Sequence, residues 1–276
     1  MRFAFLVSQA LGYQIPDLFR TDASFVEFER ATKLLVENGF EGIELNLNVG
    51  DDRMLSRIGK IIENSGLKLA AVGTGLLYAV NKLSFTDPDH NKRSEAVSKV
   101  KKLIGFAAQH QAVVIIGLIR GTTALESNDE ARRTLQDCLN QCDDEAEHLD
   151  GKIALEAINR YETKSLNTAD IVAQFINDSE LSATGMLLDT FHMNIEEKSI
   201  EASVRTHHDR IVHFHIADSN RWPPGYGHLN IRKQIELLAE LGYGAWVSAE
   251  TLPKPSSPEA IVATAKYLSE NGLKRA

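Results

Sequence analysis

The 276-residue chain contains only two cysteines, and it has no long hydrophobic run. Cys138 and Cys142 are too few for a disulfide framework and have no second pair for a metal site, which favours a reducing cytoplasm. Their spacing of four within a predicted helix is more typical of packing than of redox chemistry. The longest apolar stretch, residues 112–119, is too short to cross a bilayer, and residues 3–7 are too short for a signal peptide. We therefore expect a cytoplasmic protein without a membrane span.

Positive charge is also scarce, since 30 Lys and Arg stand against 38 Asp and Glu, giving a formal net charge of −8. An acidic surface repels phosphate backbones, which argues against a general nucleic-acid binder. The 43% of hydrophobic residues is ordinary for a globular protein and excludes a disordered or fibrous chain. No Gly-x-Gly-x-x-Gly opens an early helix, so a doubly wound dinucleotide-binding sheet is the weaker of two architectures.

A repeating unit runs along the chain: a short apolar run followed by a stretch of helical period. Strands are predicted at residues 2–8, 42–47, 68–73, 112–118, 152–157, 185–190, 211–217 and 245–251. Helices are predicted at 24–38, 52–65, 90–110, 129–149, 168–178, 195–208, 231–241 and 258–271. Gly39, Gly66, Gly242 and Gly272 follow helical patterns as C-terminal stops. Eight alternating units in one domain, residues 1–276, predict an α/β fold: a closed (β/α)8 TIM barrel.

The last four predicted strands each carry one acid or imidazole near the carboxyl end: Glu156, Asp189, His215 and Glu250. In a TIM barrel these ends meet at one rim, where the loops form the reactive bowl. Three clustered carboxylates repel one another unless a cation neutralises them. Three carboxylates and one imidazole suit Mn2+ best, with Mg2+, Co2+ or Fe2+ as alternatives and zinc ranked lower.

Further polar residues stand close to these four in the sequence. Glu162 lies on the loop after the fifth strand, His192 three residues after Asp189, and Arg221 six residues after His215. They are candidates to surround the metal, although Arg221 could be a surface residue and Glu162 could pair with Arg160 or Lys164 instead. His213 is interpreted as a barrel-interior residue rather than a ligand.

These segments resemble the ketose 3-epimerases of the xylose isomerase-like TIM barrels. The resemblance is carried by residues 155–162 (Leu-Glu-Ala-Ile-Asn-Arg-Tyr-Glu), 188–194 (Leu-Asp-Thr-Phe-His-Met-Asn), 213–221 and 223–225. It implies that Glu156, Asp189, His215 and Glu250 bind the metal. It also implies that Glu156 and Glu250 form the acid/base pair, while Glu162, His192 and Arg221 hold the sugar. Relatives of this kind are commonly dimers or tetramers, which implies a homo-oligomer.

Residues 73–75, 83–89 and 115–121 look closer to the branch that interconverts 5-keto-L-gluconate and D-tagaturonate. The substrate implied is therefore a small ketose or keto-sugar acid. A sugar acid needs a cationic contact for its carboxylate, for which Arg120, Lys82 and Arg20 are candidates by position. Tyr13, Tyr78 and Trp222 are candidates to wall the sugar.

Other activities use related metal chemistry on such a scaffold. A 1,2 aldose–ketose or hydroxypyruvate isomerase would move a proton between C1 and C2, and an inosose-type dehydratase would lose water from a related enolate. A DNA-repair endonuclease would need a zinc cluster rich in histidine, which the third and fourth strand ends do not offer. A non-catalytic sugar binder would not need two opposed glutamates.

Overall fold

A computed structural model describes residues 1–7, 19, 21–49, 51–125 and 128–273. Within these residues, parallel strands β1 to β8 pair in sequence order and close into a barrel, because β1 also pairs with β8. The strands are β1 Arg2–Leu6, β2 Gly42–Asn46, β3 Lys68–Gly73, β4 Val113–Ile116, β5 Lys152–Glu156, β6 Thr184–Asp189, β7 Ile211–Ile216 and β8 Trp246–Ala249. The predicted α/β fold, a (β/α)8 TIM barrel, is confirmed.

Helices follow the strands and cover the barrel. They are α1 Asp22–Glu37, α2 Asp52–Ser65, α3 Gly75–Ala79, α4 His90–Gln109, α5 Asp129–His148, α6 Ala169–Asp178, α7 Thr190–Glu196, α8 Ile200–His207, α9 Ile231–Glu240 and α10 Ser257–Glu270. Short polar side chains begin several of them; the Thr21 hydroxyl, for example, accepts a hydrogen bond from the Ser24 amide. Gly66, in the left-handed region at φ 81°, ends α2 as its sequence position predicts. No helix within the described residues has the length and apolarity to span a membrane.

One predicted helix and several predicted strand ends differ from the structure. The helix expected at 195–208 is replaced by two shorter helices, because Asp189 caps α7 directly after β6 and Glu197 is extended. Ser199 then caps α8. The fourth strand is shorter than expected, and Leu118–Arg120 forms a 3-10 turn instead. Both differences arise at strand ends, where backbone hydrogen bonds to side chains and turns compete with the apolar pattern.

Apolar residues fill the barrel below the rim. Alternate residues of four neighbouring strands pack together there: Ala71, Ile115, Ala154 and Leu187. Each lies two residues before a position at the carboxyl end of its strand or just after it, namely Gly73, Gly117, Glu156 and Asp189. Because side chains alternate along a strand, those four later positions face the same interior, above a packed floor.

Candidate active site

The structure brings together the four residues that the sequence placed at strand ends. Glu156 and Asp189 are the last residues of β5 and β6, His215 lies near the end of β7, and Glu250 follows β8. One potential ligand atom from each lies within 4.8 Å of the others. Asp189 and His215 are nearly inaccessible, and Glu156 is also buried. The closed barrel thus concentrates three carboxylates and one imidazole at one point of the rim.

The ring of His215 shows that this cluster fits a divalent cation. Its Nδ1 atom lies 2.9 Å from Glu250 Oε2 and 3.6 Å from Asp189 Oδ2. This buried nitrogen nevertheless makes no hydrogen bond of acceptable geometry. A buried polar atom without a hydrogen bond is uncommon, and one that faces carboxylate oxygens suits a shared metal ion.

A cavity of about 800 Å³ opens over the cluster. This volume is ample for a sugar. Its wall includes Glu162, Phe191, His192 and Arg221. The wall also includes small and apolar residues from the ends of β3 and β4 and from the segment after β8: Gly73, Thr74, Leu76, Gly117, Leu252 and Pro253. The predicted substrate residues therefore share one cavity with the predicted metal ligands.

Arg221 is a site residue rather than a surface residue. Its Nη1 atom donates to Asp189 Oδ2 at 2.6 Å, and its Nη2 atom donates to Glu250 Oε2. The guanidinium also lies over the ring of Phe191, 4.8 Å from the centroid. Its backbone φ of 63° belongs to a tight turn, in which the Arg221 amide donates to the carbonyl of Asp218. This turn brings a cation to two of the predicted metal ligands.

His192 and Glu162 are joined by Asn159, which the sequence did not single out. The Asn159 amide nitrogen lies 2.6 Å from His192 Nδ1 and donates to Glu162 Oε1 at 2.9 Å. His192 Nε2 lies 3.6 Å from Glu156 Oε1. Arg160 binds Glu196 and not Glu162, so the alternative pairing of Glu162 with Arg160 does not occur. The Asn-Arg-Tyr-Glu run was a signal for Asn159, but only the fold shows its bridging position.

The two predicted acid/base glutamates have opposite pKa shifts. Burial and the negative charge of Glu250 raise the pKa of Glu156 to about 8. Burial also favours a neutral Glu250, but the Arg221 guanidinium and the His215 imidazole outweigh it and lower the pKa of Glu250. Divergent pKa values in a pair of carboxyl groups are typical of acid–base catalysis.

Neighbouring charged groups also shift the pKa values of Asp189 and His215. Burial opposes ionisation of Asp189, yet the adjacent guanidinium of Arg221 outweighs it and lowers the pKa of Asp189. Burial likewise opposes protonation of His215, but the charges of Glu44 and Glu250 raise the pKa of His215. A proton on His215 and a cation therefore compete for the same carboxylate environment.

Glu44 is a functional candidate that the sequence interpretation missed. It lies on β2, is 1% exposed and lines the cavity. Its Oε2 atom lies 2.8 Å from His213 Nε2 and 3.1 Å from His215 Nε2. His213 is fully buried, in agreement with its predicted interior position. The available signal was a single glutamate inside the apolar run 42–47.

Two of the three cations proposed to bind a sugar carboxylate lie outside the described lining of the cavity. Arg120 is 1% exposed, and its guanidinium donates to the backbone carbonyls of Glu156, Ser165 and Leu166. Lys82 donates to the carbonyl of Ala79 at 2.7 Å. Arg20 lies outside the described residues. Within the described part of the wall, the one permanent cation is Arg221.

Among the described residues, the aromatic side chain that lines the cavity is Phe191, which was not one of the aromatic candidates. Neither Tyr78 nor Trp222 belongs to the described lining of the cavity, and Tyr13 lies outside the described residues. Trp222 instead packs near Tyr226, with ring centroids 5.8 Å apart. Phe191 does line the cavity, because it follows Asp189 in the first turn of α7.

Cys138 and Cys142 are free and buried, and neither belongs to a cluster of potential metal ligands among the described residues. Burial raises the pKa of Cys138 to about 11, and burial also raises that of Cys142. A thiol that stays protonated is a poor nucleophile and ligand. Their environment favours the packing role that the sequence predicted.

Comparisons with known proteins place sugar epimerases among the relatives of this chain. A family model described as a xylose isomerase-like TIM barrel matches residues 32–271. A D-psicose 3-epimerase of Ruminiclostridium cellulolyticum is 30% identical over 200 residues, 68% of each chain. A 3-dehydro-D-guloside 4-epimerase of Escherichia coli is 29% identical over 136 residues, 49% of this chain and 52% of that protein. The structure of a D-psicose 3-epimerase with D-tagatose, from Clostridium cellulolyticum, has a TM-score of 0.78 at 19% identity, covering 100% of both chains.

Proposed function

This chain belongs to the xylose isomerase-like TIM-barrel family, among the sugar epimerases, and we propose that it inverts C3 of a ketose or keto-sugar acid. The proposal rests on the four ligand atoms within 4.8 Å of one another at the rim, beneath a sugar-sized cavity. Two of the four belong to glutamates from β5 and from the segment after β8, with β6 and β7 between them. Carboxylates separated in this way can act on the two faces of one substrate.

Inversion of C3 requires removal of a weakly acidic proton next to a ketone. In our proposal one carboxylate, from Glu156 or Glu250, takes this proton, and the other glutamate returns one to the opposite face. Proton transfer by positioned carboxyl groups contributes on the order of 10²–10⁴-fold to the rate. His192 and Arg221 would donate hydrogen bonds to the oxygen that gains negative charge, and Glu162 would accept from a sugar hydroxyl.

The cofactor that we propose is one divalent cation, held by Glu156, Asp189, His215 and Glu250. When bound, it would polarise the ketone and stabilise the negative charge of the enediolate. Its donor set of three carboxylates and one imidazole favours Mn2+, with Mg2+, Co2+ or Fe2+ as alternatives. Removal of metal with a chelator should abolish turnover, and titration of each cation into the stripped protein should rank them.

The substrate can be found by NMR in D2O with Mn2+ present. D-tagaturonate, D-fructose, D-tagatose and L-ribulose form the test set, and a 3-dehydro sugar glycoside tests the reaction in the printed name of the Escherichia coli relative. The expected result is inversion at the carbon next to the ketone, with one solvent deuteron incorporated there. Deuterium only at C1 would indicate a 1,2 isomerase, and an unsaturated product would indicate a dehydratase.

Two variants test the proposed acid/base pair. Glu156→Gln and Glu250→Gln should each lower kcat by at least about 10²-fold, because neither amide can exchange the proton. Circular dichroism should show an unchanged fold, and Mn2+ titration would separate lost catalysis from lost metal. Normal turnover in both variants would reject the mechanism.

The expected assembly and location of the protein remain predictions. A dimer or tetramer would be recognised by light scattering coupled to size exclusion, and the cytoplasmic location by fractionation of the source cells. The single-domain organisation over residues 1–276 predicts one cooperative thermal transition. Two separated transitions by calorimetry would contradict it.

A further inference from the structure

Glu44 places a carboxylate in the barrel interior from β2, which is not one of the strands that carry the predicted ligands. It pairs in register with Leu6 on β1 and Ala71 on β3. Its side chain nevertheless contacts β7, although β1 and β8 lie between β2 and β7 in the barrel. A buried carboxylate requires partners that replace water. The contacts of Glu44 across the barrel are His213 and His215.

Both histidines use the same ring atom toward this carboxylate. Their Nε2 atoms lie 2.8 and 3.1 Å from Glu44 Oε2, and the two rings are nearly perpendicular at 82°. An ionised carboxylate can only accept hydrogen bonds. Each Nε2 atom must therefore carry a proton, which it donates to Oε2.

A proton on Nε2 determines what the other nitrogen of His215 can do. In a neutral imidazole with Nε2–H, Nδ1 has a free lone pair. Nδ1 of His215 faces Glu250 and Asp189, and it is a buried atom without a well-directed hydrogen bond. When His215 is neutral, as a metal ligand must be, the hydrogen bond from Nε2 leaves Nδ1 as a ligand atom directed toward the carboxylate cluster.

We propose that Glu44 is a positioning residue that holds His215 as the Nε2–H tautomer, with Nδ1 directed at the cation. This inference rests on the proposed metal-dependent function and extends it to a residue beyond the four ligands. A carboxylate behind a ligating histidine fixes the orientation of the ring and increases its basicity. His213 shares the accepting oxygen, so it holds the carboxylate of Glu44 in place beneath His215.

The affinity for Mn2+ tests this role directly. Free Mn2+ measured by electron paramagnetic resonance gives the dissociation constant for the wild type and for two variants, Glu44→Gln and Glu44→Leu. We expect the constant to rise by about 10–100-fold in the variants, the range seen when partners behind metal ligands are lost. Glu44→Gln preserves size but not charge, whereas Glu44→Leu removes the acceptor and prevents an amide oxygen from replacing it.

The tautomer of His215 is a second readout that general destabilisation does not change. Ring nitrogen shifts of 15N-labelled, Mg2+-loaded protein should show Nε2 protonated and Nδ1 unprotonated in the wild type. The Glu44→Leu variant should lose this preference. His213→Gln should raise the Mn2+ dissociation constant less than either Glu44 variant, because Glu44 remains behind His215.

Asp143 offers a matched control, since it is another buried carboxylate that accepts hydrogen bonds from Ser182, Ala183 and Thr184. Asp143→Asn should lower the melting temperature without changing the Mn2+ dissociation constant.

If both Glu44 variants bind Mn2+ with wild-type affinity, the role proposed for Glu44 is wrong, but the proposed metal function still stands. Failure of the wild type to bind any Mn2+ would overturn the proposed metal function as well. Two Mn2+ per chain would show that Glu44, His213 and His215 hold a second cation instead.

Discussion

The two halves of the barrel rim differ in chemistry. The ligand half, at the ends of β5 to β8, carries Glu156, Asp189, His215 and Glu250. The spacer half, at the ends of β2 to β4, contributes Asn46, Gly73 and Gly117 to the cavity. Charge is therefore concentrated on one side, while the other side supplies space for a substrate.

The spacer half also holds the ligand half in position. A Cβ atom on Gly117 would lie 2.7 Å from Glu156 Oε2, so this glycine leaves room for that carboxylate. Arg120, which follows β4, donates to the backbone carbonyl of Glu156. Glu44 on β2 contacts His215. Residues outside the ligand half thus determine where the residues of the ligand half lie.

The strongest test of this support is Arg120→Met. Three backbone carbonyls would lose a buried donor, which we expect to lower the free energy of unfolding by about 2–4 kcal/mol. The change corresponds to a fall in Tm of roughly 4–10 °C, measured by calorimetry. Arg205→Met, which breaks an exposed pair with Glu240, should leave Tm nearly unchanged. If Arg120→Met instead keeps Tm and weakens only the binding of sugar acids, the arginine serves the substrate.

A smaller effect should follow from Gly117→Ala, which changes the spacer half without changing charge. The new methyl group must displace the carboxylate of Glu156, and a displacement near 1 Å can cost about 10²-fold in rate. We expect kcat to fall about 10–100-fold while the fold is preserved, measured by steady-state kinetics at saturating Mn2+. Gly105→Ala on α4 is the control, because its nearest neighbour is 4.0 Å away. Equal kcat for both variants would show that Gly117 does not position Glu156.

The smallest effect concerns Asp218, which supports the loop of Arg221 in the ligand half. Its Oδ1 atom accepts from the amides of Ser219 and Leu229, and its Oδ2 atom accepts from Gly225. Asp218→Asn would set an amide group against one of these donors, so the free energy of unfolding should fall by about 1–2 kcal/mol. Thermal unfolding at pH 7 measures the change.

The effect of Asp218 should also depend on pH. Burial opposes its ionisation, but the backbone donors outweigh burial and lower the pKa of Asp218. Its contribution to stability is therefore complete above the unfolded pKa of about 4 and disappears as pH falls through the lower folded value. The difference in Tm between wild type and Asp218→Asn should be constant from pH 7 to about pH 5 and shrink in stronger acid. A difference that instead grows in acid would contradict this assignment.

Local patterns predicted the barrel and the meeting of Glu156, Asp189, His215 and Glu250. Strand period and helix stops locate each strand end, and parallel closure then brings consecutive ends to one rim. The same reasoning failed for Arg120, since its position after β4 does not tell whether the side chain turns to the cavity or to the backbone. It also passed over Asn159, whose amide joins His192 to Glu162 only after two loops fold together.

The amino-acid order alone determined the alternation of strands and helices, the closed barrel and the membership of the four strand-end residues in one cluster, because these follow from short-range periodicity. Only the tertiary structure decided that a glutamate of β2 supports a histidine of β7 and that Arg221 binds two of the clustered carboxylates. Such contacts join residues far apart in the chain, and their partners are chosen by barrel closure and by the need of each buried charge for a neighbour.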